Sequence, residues 1–281
     1  MAMLDRRLLG SVALAAALIA TTAGAQAPDE SKFPEWRGQW TRLISGGQWD
    51  ESKPAGRGQQ APLTPEYQAE FEAAQADLRA GGKGNTPSMT CIPPGLPRAL
   101  IVYEAMEIVV KPYATYMLFE FMDPIRRIYT DGRDWPKTIE PTFLGYSIGH
   151  WEDEDGDGRY DTLVVETRGF KGPRIVDGSG IPMHKDNQTV IKERIFLDKT
   201  KPDLLHDEVT IIDHALTRPW TVMRGYRREP NPTWYEYNCS EDNQHVFLGK
   251  DPYLLSAEGF LMPTRKDQPP PDLRYFSQPR N

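Results

Sequence analysis

Nine short segments of β character, each ended by a turn signal, constrain this chain more than any other feature of it. Apolar and β-branched residues recur with period two, or in short runs, over 107–110, 116–122, 125–130, 146–151, 162–167, 189–197, 205–212, 220–227 and 234–239. Asp-Gly, Lys-Pro, Arg-Pro and Asn-Pro pairs separate them. Residues 35–40 open the domain ahead of them, and a polar, glycine-rich stretch follows over 45–60. One helix is predicted over 65–80. Thr64 is its N-cap, Pro65 takes the first helical position, and Gly81-Gly82 stops it. Tyr67, Phe71, Ala74 and Leu78 recur along it at helical spacing. A long run of hairpin-linked strands leaves edges that must be closed or covered. The expectation is a mainly all-β fold, an antiparallel meander closing into a barrel, with one N-terminal helix. A jelly roll or β-sandwich is the alternative. No repeat of propeller or solenoid period is present.

The first residues point to export. Arg6 and Arg7 precede an apolar run over 8–20, and Ala23-Gly24-Ala25 forms a small-residue cleavage signal. Residues 1–25 are predicted to be a signal peptide, too short in their apolar part for a membrane span. The expected organisation is an N-terminal segment over 26–90, a main barrel over 91–250 and an extended, Pro-rich tail over 251–281. A periplasmic or secreted monomer follows. In that oxidising setting Cys91 and Cys239, the two cysteines of the chain, are expected to pair. The loop-entropy model puts such a bridge on the order of 4 kcal/mol. The formal charge of −7 is spread along the chain, which argues against a nucleic-acid partner.

Between two of the strands lies the run Trp151-Glu152-Asp153-Glu154-Asp155-Gly156-Asp157-Gly158-Arg159-Tyr160-Asp161. Carboxylates at Asp153, Asp155, Asp157 and Asp161 repel one another unless a cation sits among them. Ca²⁺ accepts six to eight oxygen ligands in flexible geometry, and the Arg159 carbonyl offers a further one. The position of the usual bidentate Glu is Val164, so this is no EF-hand. It is similar to the calcium loops of integrin-type propeller blades. A solvated Asp-Gly turn is the simpler alternative. A bound Ca²⁺ here is expected to be structural.

Two resemblances bear on the fold. Gly38-x-Trp40 resembles the opening of lipocalins, in which Trp plugs the closed end of a barrel. The second rests on Arg127-Ile128-Tyr129-Thr130-Asp131-Gly132-Arg133, on Asp161-Thr162-Leu163-Val164-Val165-Glu166-Thr167-Arg168-Gly169-Phe170, and on Glu193-Arg194 with Thr217-Arg218-Pro219-Trp220. Over roughly 91–242 these motifs are similar to a large family of exported, mostly uncharacterised bacterial proteins. Relatives with that pattern have a shorter hairpin, so residues 153–159 look like an insertion. The resemblance implies an architecture and candidate residues, and no reaction.

Chemistry must then come from polar residues on apolar strand faces. Glu193 shares a face with Ile191, Ile195 and Leu197; Glu120 with Tyr116, Leu118 and Met122; Glu166 with Val164 and Arg168. A buried carboxylate must be paired or protonated, and Arg127, Arg168, Arg194 and Arg218 are available partners. The network is either a structural one inside a barrel or the floor of a ligand pocket. His184 lies in a Gly-rich loop ahead of a strand, where a general base is expected if there is one. The candidate catalytic residues are His184, Glu193 and Glu166. The candidate binding residues are Glu120, Arg127 and Trp220. The five histidines lack zinc-site spacing, and no G-x-S-x-G, Walker A or dinucleotide fingerprint appears. Two functions stay open: a carrier of an apolar or aromatic small molecule, or a lyase, isomerase or hydrolase without a nucleotide cofactor.

Overall fold

The computed structural model describes residues 29–43, 48–53, 61–101, 105–122, 124–237, 239, 245–249, 251–256 and 259–271. The predicted signal peptide lies outside the described residues, as does most of the glycine-rich stretch. Nine strands form a closed barrel in chain order. They are β1 (Gly38–Arg42), β2 (Met106–Lys111), β3 (Ala114–Phe119), β4 (Ile125–Tyr129), β5 (Tyr146–Glu152), β6 (Thr162–Arg168), β7 (Val190–Leu197), β8 (Leu204–Ile212) and β9 (Trp220–Arg228). Closure comes from β1, which pairs with β2 on one side and β9 on the other. No barrel strand is left with an open edge, which is how a long meander avoids presenting unpaired backbone groups.

Eight of the nine seams are antiparallel, and β4 and β5 run parallel with Ile128 opposite Ser147 and Tyr129 opposite Ile148. Parallel neighbours need a crossover, and residues 130–145 are that crossover. Asp131-Gly132 starts it with a turn, but Pro136 and Pro141 stop the chain from returning as a hairpin. The sequence expectation of an antiparallel meander thus holds except at this one seam.

Burial alternates along most of the barrel strands. Met106 and Ile108, Met117 and Phe119, Leu163 and Val165, Ile191 and Ile195, Leu205, Val209 and Ile211, and Trp220, Val222 and Tyr226 are all buried. Trp40 is fully buried, and its Nε1 donates to the Trp36 carbonyl at 2.9 Å. The guanidinium of Arg228 lies 4.3 Å over its ring. These side chains fill the barrel. Among Trp40, Phe119 and Tyr226 the free space is about 10 Å³, close to the room of one water.

Helix α1 (Pro65–Arg79) forms as predicted, with Thr64 as N-cap. It buries Tyr67, Phe71 and Ala74, while Leu78 is exposed. Its start is tied to the β8–β9 turn by the Thr64 N–H donating to the Ala215 carbonyl at 2.8 Å. Residues 234–237 are not a strand, contrary to the sequence expectation. A separate three-stranded sheet of β10 (His245–Leu248), β11 (Asp251–Leu255) and β12 (Leu261–Pro263) takes the end of the expected barrel segment and the start of the expected tail. Cys91 and Cys239 form the expected disulfide, with Cα atoms 5.6 Å apart. Such a bond is compatible with an extracytoplasmic location. Among the described residues no helix is long and apolar enough to cross a membrane.

Candidate functional site

Four places in the molecule gather polar chemistry. The first is inside the barrel. Period two sends Arg126, Ser147, Thr167, Glu193, Asp207 and Arg224 inward from β4 to β9, and all are buried. Arg126 makes a bidentate pair with Glu193, its Nη1 donating to Oε1 at 2.8 Å and its Nη2 to Oε2. It also donates to Ser147 Oγ at 3.2 Å and to Thr167 Oγ1 at 2.9 Å. Arg224 donates to the carbonyls of Gln48 and Trp49 and lies 3.0 Å from Glu51 Oε1. Asp207 sits between these pairs, and among the described residues no protein group donates to either of its carboxylate oxygens. Burial pushes its pKa well up, and the neighbouring Glu193 adds to the rise against the opposing pull of Arg126 and Arg224. Both causes of the rise favour the neutral form of Asp207.

The second place is outside, over β5 to β8 beside the crossover. A groove of about 570 Å³ runs over β5 to β8. Ile148 and Val164 form its floor, Trp135 of the crossover stands over it, and Arg133, Glu166 and Lys192 rim it. The rim is braced by stacked charges and rings. Arg133 lies 3.6 Å over the Tyr129 ring and bonds to Asp131, and Arg168 lies 4.7 Å over Trp135 while pairing with Glu166. Hydrogen bonds to Asp131 and Tyr146 push the Arg133 pKa up.

The third is the acidic loop. Asp153, Asp155 and Asp161 each offer a carboxylate oxygen within 4.8 Å of the others. Asp153 accepts from the N–H groups of Gly156, Asp157 and Gly158 at 2.8–3.1 Å, and both glycines have positive φ. Asp157 turns its Oδ1 to the Arg159 N–H at 2.8 Å and is not one of the converging three. Lys199 reaches in, with Nζ 3.2 Å from Asp155 and 3.9 Å from Asp161. A second outer groove of about 820 Å³ borders this loop, with Tyr160, Phe196 and Met223 among its lining.

The fourth surrounds His184. Its backbone N–H donates to Asp213 Oδ1 at 2.9 Å, and its ring centroid lies 5.1 Å from that of Tyr67 on α1. Its Nδ1 is 2.8 Å from Asp186 Oδ1, and His214 Nδ1 is 2.7 Å from Asp186 Oδ2. Burial works to raise the Asp186 pKa, but bonds from the Gln188 N–H, His214 and His184 prevail and hold it at about 2. Asp186 in turn pushes the His214 pKa up.

The sequence candidates do not converge on one point. Glu193 is inside, and its partner is Arg126 rather than Arg127. Arg127 is on the outer wall beside Tyr116 and Tyr129. Two consecutive arginines in a period-two strand leave the phase open, and the phase decides which one enters the core. Glu166 is also on the outer wall, paired with Arg168 and Lys192. Glu120 is buried just beyond the end of β3, where it accepts from the N–H groups of Ala105 and Tyr235. Trp220 is a core residue against Trp49, with ring centroids 6.3 Å apart. The cavity beside His184, about 300 Å³, is lined by Glu70, Arg174, Met183 and Lys185 among others. Sequence reasoning missed Arg126, Asp207 and Arg224, although the inward parity of β4, β8 and β9 carried the signal. It also missed Asp186 and His214, which meet only through the fold. No protein-family model matches this chain, and no curated protein matches it.

Proposed function

We propose that this protein is an exported binding protein for an aromatic or apolar small molecule, with Ca²⁺ as a structural ion in its acidic loop. The observation that carries the reading is the outer groove over β5 to β8, beside the crossover. It combines a floor of Ile148 and Val164, an aromatic wall at Trp135 and a rim of Arg133, Lys192 and Glu166. Its volume, about 570 Å³, lies in the range of small-molecule sites, and His150, Arg194, Glu208 and Thr210 add to its polar lining. The barrel lumen, the site first suggested by the lipocalin likeness, is filled by side chains. Export rests on residues 1–25 and is supported by the disulfide. Membership of the exported bacterial family rests on the motifs alone, two of which contribute Arg133 and Glu166 to the groove. The Ca²⁺ reading rests on the Asp153, Asp155 and Asp161 oxygens, with Asp157 and the Arg159 carbonyl as the further ligands of the sequence pattern.

An enzyme using His184 with Glu166 and Glu193 has less support. Glu193 is enclosed with Arg126, and Glu166 belongs to another face of the molecule. Native mass spectrometry of protein purified from its own host tests the binding reading. Wild-type protein should carry a small molecule that Trp135→Ala loses. An equal load on both proteins, or none on the wild type, contradicts it.

A further inference from the structure

We propose that His184, Asp186 and His214 form a site for one divalent transition-metal ion of the Zn²⁺ class. The ligands are His184 Nδ1, an Asp186 carboxylate oxygen and His214 Nδ1. The three groups come from two places in the chain, His184 and Asp186 from the loop before β7 and His214 from the turn after β8, and their ligand atoms all lie within 4.8 Å of one another. Both imidazoles present the same nitrogen to the same carboxylate, at 2.8 and 2.7 Å. The two rings meet edge to face with centroids 5.5 Å apart.

The scaffold beneath the site is rigid, and one buried residue ties its two halves together. Asp213 Oδ1 accepts from the N–H groups of His184 and Ala215, at 2.9 and 2.8 Å, so it fixes the backbone on both sides of the cluster. Its other oxygen accepts from Thr189 Oγ1, which is in turn bonded by the buried Arg174. Tyr67 adds a ring against His184 and a hydroxyl that accepts from the Lys185 N–H at 3.2 Å. Asp186 is held by the Gln188 N–H at 3.0 Å. This is the kind of outer support that orients metal ligands.

The donor set decides the class of ion. Two imidazole nitrogens with one carboxylate suit Zn²⁺, Ni²⁺ or Cu²⁺, whereas Ca²⁺ and Mg²⁺ take all-oxygen sites such as the acidic loop. Ligand atoms around tetrahedral Zn²⁺ sit roughly 3.3 Å apart, given bonds of about 2.0–2.1 Å. The two nitrogen–oxygen distances, 2.8 and 2.7 Å, would each widen slightly to admit the ion, and the His214 side chain is two-thirds exposed. Metal ligation would replace the contact in which the Asp186 N–H donates to His184 Nδ1. Three protein ligands leave a coordination position for water or an external ligand. A cavity of about 300 Å³ adjoins His184.

The test is calorimetric titration of chelator-stripped full-length mature protein with Zn²⁺ alone. The expected result is one ion per chain with micromolar or tighter affinity. His214→Ala and Asp186→Asn should each weaken it by about tenfold or more, since losing even an outer-shell partner costs that much. Co²⁺ substitution should give a visible absorption band that both variants lose. The acidic-loop variant Asp155→Ala/Asp157→Ala should bind Zn²⁺ like the wild type, and so should Trp135→Ala, which separates this site from the groove. Wild-type protein that takes up no Zn²⁺, or a His214→Ala variant that binds it unchanged, would overturn the assignment.

Discussion

Asp207 shows how one side chain couples this barrel to pH. It is buried with no donor among the described residues, and its folded pKa is raised above the ordinary value of 3.8. The folded state therefore keeps this proton at pH values where the unfolded chain has released it. Stability is fully present below about pH 4 and falls as pH rises towards the folded pKa. Asp207→Asn keeps a donor for Glu193 and removes the titration. It should match the wild type in urea unfolding near pH 4 and exceed it near pH 8; a wild type more stable than the variant at pH 8 would contradict the protonated assignment. Glu193 presents the opposite case, a charge whose partner cannot leave. Glu193→Ala strands Arg126 inside the barrel and should cost roughly 3–5 kcal/mol. The intrusion of Glu193 into an apolar face was legible in the sequence. The identity of its partner was not, because Arg126 and Arg127 differ only in strand phase.

At the scale of elements, alternation made most of the barrel readable. The strands from β2 to β9 fall within a few residues of the period-two segments, and α1 starts at its predicted N-cap. What failed was connectivity. An Asp-Gly pair reads as a hairpin turn, and only the fold shows that residues 130–145 cross over to make a parallel seam. The sheet of β10 to β12 was hidden by prolines at 252 and 263 within its strands, which depress the β signal. The acidic loop was legible as a unit, though its internal geometry was not. Asp153 is occupied by backbone N–H groups, and Lys199 supplies a cation from the neighbouring turn. If Ca²⁺ displaces that ammonium, adding Ca²⁺ should raise the melting temperature, and Asp155→Ala/Asp157→Ala should abolish the rise. A melting temperature indifferent to chelation would leave the loop as a turn closed by Lys199.

For the whole molecule, closure and the disulfide do separate jobs. The β1–β9 seam closes the barrel, while Cys91–Cys239 links the segment after α1 to the chain beyond β9 across 148 residues. Reducing that bridge should lower stability by on the order of 4 kcal/mol in denaturant unfolding, because the unfolded chain regains the freedom of a long loop. The same closure fills the interior, which leaves the outer wall for the proposed ligand. A lumen carrier and a wall binder look alike in sequence, since both need alternating strands; the difference lies in whether residues such as Met117, Phe119 and Arg126 leave space, and here they do not. The most direct test is equilibrium titration with anilinonaphthalene sulfonate, an aromatic anion matched to Trp135, Arg133 and Lys192. Trp135→Ala should weaken binding about tenfold, as expected for loss of an aromatic anchor, while Met117→Ala inside the barrel should leave affinity unchanged. Unchanged affinity in Trp135→Ala, with a marked change in Met117→Ala, would place the ligand in the lumen and contradict the account.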